Sequence, residues 1–157
     1  MHRTFKVTIF GILMFTLAGT SLAQKPEIGT WKLNLEKSKY SPGPAPKSMT
    51  RTVEAHGEKE KFTYEGVAAD GKTISYNFTV AFDGKDYPII GTATLGADTI
   101  SVRHLSPRSS RATLKKAGAA VLISTATISA DGKRTTFTQT SPGGKGSIHN
   151  VIVYEKQ

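Results

Sequence analysis

Apolar and polar residues alternate along most of the chain after residue 28, which is typical of β-strands with one buried face. In the clearest run, from Ile74 to Phe82, every second residue is large and apolar, and those between are small or polar. Shorter runs of the same kind cover 31–35, 49–55, 62–64, 100–104, 121–128, 135–140 and 148–154. Beyond the first 23 residues, no stretch has apolar residues at helical spacing. The pattern predicts an all-β protein.

Turn residues separate these runs. Asp70-Gly71, Asp83-Gly84 and Asp131-Gly132 each lie between two alternating stretches. Asp-Gly favours tight hairpins because glycine takes the positive φ that such turns need. His56-Gly57 and Ala117-Gly118 are weaker signals of the same kind. Local hairpins predict a single antiparallel up-and-down β-barrel of 8–10 strands, and a two-sheet β-sandwich is the alternative.

The segment Glu36 to Lys47 interrupts the pattern of alternating runs joined by short turns. It contains Pro42, Pro44 and Pro46, and three prolines in five residues exclude a helix or a central strand. The pattern predicts a stiff, extended loop. Such a loop is either a lid over the mouth of a cavity or a rigid connection, and the sequence leaves both open.

The first 23 residues have the layout of a secretory signal peptide. A basic start with Arg3 and Lys6 leads into an apolar run from Val7 to Leu17, and small residues at 21 and 23 mark a cleavage site. The run is too short to span a bilayer with any margin. We expect residues 1–23 to be removed, leaving a β-barrel domain over 24–157 in the periplasm or outside the cell.

Composition narrows the chemistry of this domain. The chain has no cysteine, which excludes disulfides, thiolate metal sites, thiol nucleophiles and a lipid anchor on residue 24. Its formal net charge is +9, of which Arg3 and Lys6 contribute two. A basic exported protein is expected to meet anionic envelope material rather than nucleic acid. We expect no membrane-spanning segment in the mature domain.

The positive charge is concentrated in one region. No acidic residue occurs between Asp98 and Asp131. The same stretch contains five basic residues: Arg103, Arg108, Arg111, Lys115 and Lys116. They are candidates for docking an anionic glycan or lipid of the envelope. The alternative is a solvated face whose charges discourage edge-to-edge strand pairing.

Gly29-Thr30-Trp31 on the first predicted strand resembles the G-x-W motif of the lipocalin and fatty-acid-binding-protein superfamily. The chain also resembles a group of uncharacterised bacterial secreted proteins, often described as lipocalin-like. That second resemblance rests on Gly29–Pro46, Asp83–Pro88 and Asn150–Lys156. Together they imply a calycin-type barrel whose Trp31 plugs the closed end beneath a small apolar ligand. The proline-rich loop departs from the helical lid of the fatty-acid binders, and no arginine on the last strand is available to stack on Trp31.

Inward-facing residues are the candidates for ligand contact: Trp31, Arg51, Tyr64, Tyr76, Phe78 and His104. An arginine that shares the parity of Met49 and Val53 is expected to hold a ligand carboxylate, because burying it without an anion is costly. It could instead lie near a strand end and reach solvent, and the aromatic face could be a filled core.

The sequence thus predicts an exported protein that binds a small apolar or amphipathic ligand. The alternative is an envelope interaction module with no internal ligand. We find no catalytic constellation, no metal-ligand spacing and no cofactor motif, so we do not predict an enzyme.

Overall fold

The computed structural model describes residues 25–144 and 147–157, which leaves the predicted signal peptide outside the described residues. This part of the chain contains eleven strands. They are β1 (Gly29–Lys39), β2 (Ser48–His56), β3 (Lys59–Val67), β4 (Thr73–Val80), β5 (Asp83–Pro88), β6 (Ile90–Gly91), β7 (Thr99–Ser106), β8 (Ser109–Lys116), β9 (Ala119–Ile128), β10 (Arg134–Thr140) and β11 (His149–Lys156). Within these two ranges, no helix has the length and hydropathy needed to cross a membrane.

The strands form one antiparallel sheet in the order β5-β7-β8-β9-β10-β11-β1-β2-β3-β4-β6. Most neighbours in the sheet are also neighbours in sequence. The pairing of β11 with β1 joins the two ends of the chain, with Trp31 opposite Lys156. Among the described residues, β4 and β5 share no ladder, so the barrel is nearly closed. The predicted up-and-down barrel is therefore confirmed over the two-sheet sandwich, and the two-residue β6 brings the strand count to eleven.

One predicted hairpin is wrong. Asp83-Gly84 does not connect two paired strands, because β5 begins at Asp83 and pairs with β7 instead of β4. Phe82, immediately before it, has a φ of 53°, and the chain turns there. The Asp83 carboxylate then accepts hydrogen bonds from the Lys85 N–H and the Tyr87 hydroxyl, both at 3.0 Å. The other Asp-Gly pairs join β3 to β4 and β9 to β10 as predicted.

The start of the proline-rich loop also differs from the prediction. Strand β1 continues to Lys39, so the loop covers only 40–47. The pairing of β1 with β11 shifts register between Asn34 and Lys39. The Ser38 hydroxyl donates to the Asn34 carbonyl and accepts from the Val153 N–H, which holds this irregular part of β1 on the sheet. Hydrogen bonding to β11 thus extends β1 to Lys39, although apolar and polar residues do not alternate regularly there.

Trp31 fills one end of the barrel, here called the closed end. Its side chain is 0% exposed, and its indole N–H donates to the Glu27 carbonyl at 2.9 Å. The ammonium of Lys156 lies 5.0 Å from the Trp31 ring centroid and donates to the Pro26 carbonyl at 3.1 Å. Lys156, on the last strand, thus provides a cation over Trp31 in place of the arginine that the strand lacks. Gly29 has a φ of 132°, a conformation that residues with a side chain rarely adopt, so the backbone at the start of β1 favours glycine.

Candidate functional site

A cavity of about 660 Å³ occupies the interior of the barrel. Arg51 and Glu27, which lie next to Trp31, line this cavity, whereas Trp31 itself does not. Pro42, Pro44 and Pro46 line it at the opposite end, here called the open end. The loop 40–47 therefore borders the cavity, as the lid interpretation requires. The volume is within the usual range for pockets that bind small molecules. The barrel interior is thus not a filled core.

Four aromatic side chains from β3 and β4 form one side of the cavity, here called the aromatic wall. Tyr64 lies opposite Tyr76 and Phe62 opposite Phe78 in the β3–β4 ladder. The rings of the tyrosine pair are stacked with centroids 4.7 Å apart, and those of the phenylalanine pair 5.0 Å apart. The direct cross-strand register produces these contacts. The predicted candidates Tyr64, Tyr76 and Phe78 thus lie together.

Phe82 extends the wall to His104. Its ring centroid lies 6.1 Å from that of Phe62 and 4.2 Å from the imidazole, which is stacked on it with an interplanar angle of 2°. His104 borders the cavity but is itself exposed. The structure therefore brings His104 together with the other aromatic candidates through Phe82.

Arg51 points into the barrel and is buried, with only 4% of the residue exposed. Its guanidinium carbon lies 5.1 Å from the Phe62 centroid, 5.4 Å from that of Phe137 and 5.8 Å from that of Trp31. Within the described residues, its Nε and Nη1 atoms have no hydrogen-bond partner. The guanidinium thus lies among aromatic rings with unused donors, and the alternative that it reaches solvent at a strand end is wrong.

Sequence reasoning missed several polar groups of the cavity. Tyr40, just after β1, and Tyr154, on β11, add two phenols to those of Tyr64 and Tyr76. Burial raises the pKa of Tyr40 to about 12 and raises the pKa values of Tyr76 and Tyr154 above their usual range. Tyr40, Tyr76 and Tyr154 therefore stay neutral and can donate hydrogen bonds. Shared parity with Ile152 could have pointed to Tyr154, whereas Tyr40 follows the irregular end of β1 and gave no signal.

Thr135 was also missed. Its hydroxyl oxygen is buried beside the cavity and has no hydrogen-bond partner within the described ranges. Buried polar groups are normally satisfied, so an unpartnered hydroxyl that borders a cavity indicates a position for a ligand or water. The alternation along β10 could have shown that Thr135 faces inward. Threonine is so common in strands, however, that its presence does not indicate a site.

A buried carboxyl group lies at the closed end. Glu60 is 1% exposed, and its Oε1 accepts from the Lys25 ammonium at 2.8 Å. Burial raises the pKa of Glu60, and the nearby Glu27 raises it further, although Lys25 acts in the opposite direction. The hydrogen bond to Glu60 in turn raises the pKa of Lys25 above 10.5. Burial has the largest effect on the pKa of Glu60, because Lys25 is largely exposed and water screens its charge.

The raised pKa of Glu60 predicts a specific pH dependence of stability. The folded state holds the proton of Glu60 more tightly than the unfolded state, whose reference pKa is 4.5. Its stabilising contribution is complete below pH 4.5 and is lost as the pH rises through the folded-state pKa. Glu60→Gln should therefore gain stability relative to the wild type as the pH is raised from 4.5 to neutrality. Urea unfolding at several pH values measures this difference.

Glu54→Gln, at an exposed position on β2, is the control for the pH series. Its free energy of unfolding should follow that of the wild type across the range. A constant difference between Glu60→Gln and the wild type at all pH values would contradict the assignment.

The five basic residues predicted as a docking surface are spread along the hairpin of β7 and β8. Arg103 and Arg111 are exposed and directly opposite each other in the ladder. Lys115 pairs with Asp86 at 2.8 Å, and Lys116 is exposed beside it at the end of β8. Arg108, at the opposite end of the hairpin, borders the cavity. They form no single cluster, and their docking role stays a prediction.

No protein-family model and no curated protein matches the chain. Solved structures do match. The fatty acid binding protein of Schistosoma mansoni, in complex with arachidonic acid, is similar with a TM-score of 0.58 and 14% identity, over 84% of this chain and 96% of that one. Zebrafish ileal bile acid-binding protein, complexed with cholic acid, gives a TM-score of 0.52 and 16% identity, over 84% and 99%. The chain has a calycin-type β-barrel fold.

At these identities the likeness shows the calycin fold alone. It confirms the fold implied by the G-x-W motif, and the structure places Trp31 at the closed end of that barrel. The resemblance to bacterial secreted proteins stays a prediction. So does the contact of Trp31, Arg51, Tyr64, Tyr76, Phe78 and His104 with a ligand.

Proposed function

We propose that this protein is an exported calycin-type carrier of a small amphipathic acid. The apolar body of the ligand occupies the cavity, and its acidic group binds Arg51. The observation that carries the proposal is the buried Arg51 guanidinium, which borders the cavity with two nitrogens unpartnered among the described residues. The signal pattern in residues 1–23 supports export.

Energetics favour an anion at this position. A buried charge without an opposite charge is costly, and the three surrounding rings offset only part of that cost. Hydrogen bonds to charged groups contribute about 1.5–3 kcal/mol each. The planar guanidinium can bind a carboxylate through two parallel hydrogen bonds, which also orients the ligand. An acidic ligand therefore satisfies Arg51 in a way that no described side chain does.

The remainder of the cavity suits an apolar body with a few oxygen atoms. Its walls are mostly aromatic and aliphatic, and the neutral phenols of Tyr40, Tyr76 and Tyr154 provide isolated hydrogen-bond donors. Ligand pockets commonly combine an apolar lining with a few polar groups that fix orientation. The two structural relatives are complexed with arachidonic acid and cholic acid, both amphipathic acids, which supports the same ligand class here.

Native mass spectrometry of the protein isolated from its own host tests the proposal. We expect a mature chain beginning at Gln24 and carrying one bound organic acid, which denaturation releases. Titration of the emptied protein with long-chain carboxylic acids should change the fluorescence of Trp31, the only tryptophan. An intact N-terminus would contradict export. No bound species and no titration response across a broad set of acids would contradict the carrier function.

A further inference from the structure

The aromatic wall is continuous and held in place by the sheet. Besides the two stacked cross-strand pairs, the rings of Tyr64 and Phe78 lie 6.1 Å apart with an interplanar angle of 27°. The four rings therefore form one row along β3 and β4. Each ring packs against its neighbour, and regular strand pairing fixes their Cα positions. The ligand consequently meets a preorganised aromatic surface.

Small side chains face this row across the cavity. Leaving the short β6 aside, β9 lies five strands from β3 in either direction around the barrel. The inward residues Ser124 and Ala126 of β9 and Ala112 of the adjacent β8 all line the cavity. A hydroxymethyl group and two methyl groups leave space that larger residues would fill. Leu114, Leu122 and Ile128 of the same two strands also line the cavity, so small residues face the aromatic wall only in the middle of β8 and β9.

The part of the cavity between the aromatic wall and these small residues, here called the slot, favours flat ligands. A ring placed against an aromatic side chain gains roughly 2- to 10-fold in affinity beyond the effect of the buried area. A saturated chain gains only from buried area and must also lose rotational freedom on binding. The phenol hydroxyls along the row can bind oxygen atoms on a conjugated ligand without requiring a second charge.

We propose that the cavity selects planar, conjugated carboxylic acids over flexible saturated ones, with the ring system against the aromatic wall and the carboxylate at Arg51. This selectivity rests on the proposed function, because it assumes that an acidic ligand occupies the cavity. It assigns specificity to Tyr76 and Phe78 on one side and to the small Ala126 on the other.

Isothermal titration calorimetry with two acids of similar size tests the selectivity. Fluorene-2-carboxylic acid, a biphenyl acid whose two rings a methylene bridge holds coplanar, is planar and conjugated and is here called the biphenyl acid. Dodecanoic acid is flexible and saturated. We expect the biphenyl acid to bind roughly tenfold more tightly, the gain of one or two ring contacts. Equal affinities, or tighter binding of dodecanoic acid, would overturn the selectivity and leave the carrier function intact. Failure of both acids and of every other acid tested would contradict the carrier function itself.

Two variants test whether the wall causes the preference. Tyr76→Leu removes one ring but keeps apolar bulk, and should lower affinity for the biphenyl acid about 2- to 10-fold while leaving that for dodecanoic acid nearly unchanged. Ala126→Leu narrows the slot from the other side and should weaken the rigid biphenyl acid more than the flexible chain. Tyr87→Leu, at a ring outside the cavity lining, is the control. Thermal melting verifies that each variant is folded. An unchanged affinity ratio in both cavity variants would refute the proposal.

Discussion

Arg51→Met is expected to lower the affinity of this protein for acidic ligands roughly 10- to 100-fold, because hydrogen bonds to a charged group contribute about 1.5–3 kcal/mol. The same change should raise the free energy of unfolding of the ligand-free protein by about 1–2 kcal/mol. Methionine fills a similar space and removes a buried charge whose desolvation costs more than its contacts with aromatic rings return. Opposite changes in affinity and stability are the signature of a binding residue.

Calorimetric titration with a carboxylic acid and urea unfolding without ligand measure the two effects of Arg51→Met. Arg103→Met, which removes an exposed arginine on β7, is the matched control and should change neither quantity appreciably. A neutral alcohol of the same carbon skeleton should bind the wild type and Arg51→Met with similar affinity. If Arg51→Met destabilised the ligand-free protein and bound acids normally, Arg51 would be structural and the proposed site wrong.

Trp31→Ala should destabilise the protein by about 3–5 kcal/mol, as is usual when a large aromatic residue is removed from a core. The indole is fully buried and holds the segment before β1 through its hydrogen bond to the Glu27 carbonyl. Its removal also deprives Lys156 of the ring beneath its ammonium. We therefore expect both the plug and the junction of the first and last strands to weaken.

Denaturant unfolding followed by circular dichroism measures the loss, because Trp31→Ala removes the only tryptophan. Leu35→Ala, on the same strand at a residue that is 42% exposed, is the control and should cost far less. A loss below about 1 kcal/mol in Trp31→Ala would mean that the indole carries little of the packing at the closed end.

The barrel could be predicted because most of the local signals agreed with the final structure. Two-residue alternation predicts which face of a strand is buried, and this placed Arg51, Tyr64 and Tyr76 inside correctly. Strand β8 was not predicted as a strand, because its inward positions include the small residues Ser110 and Ala112. These small residues face the cavity, so Leu114 is the only large apolar residue of the strand and no apolar alternation marks it.

Features that depend on distant partners were not predictable. The Asp83-Gly84 pair looks like the other turns, and only the tertiary pairing of β5 with β7 distinguishes it. Glu60 has the inward parity of its strand, but its burial depends on Lys25 and on the segment that covers the closed end. Nor could sequence spacing show that a lysine near the C-terminus lies over Trp31. Such contacts arise from closure of the sheet rather than from local pattern.

The junction of β11 with β1 determines when in folding this protein could accept a ligand. The two strands that complete the ring come from opposite ends of the chain, and such distant contacts form late because a long loop must first be closed. Until β11 has paired with β1, the sheet of the barrel is interrupted beside Trp31 and no enclosed space exists. A partly synthesised chain therefore cannot retain a ligand. Any ligand must therefore bind after folding is complete, and must enter through an opening in the finished barrel.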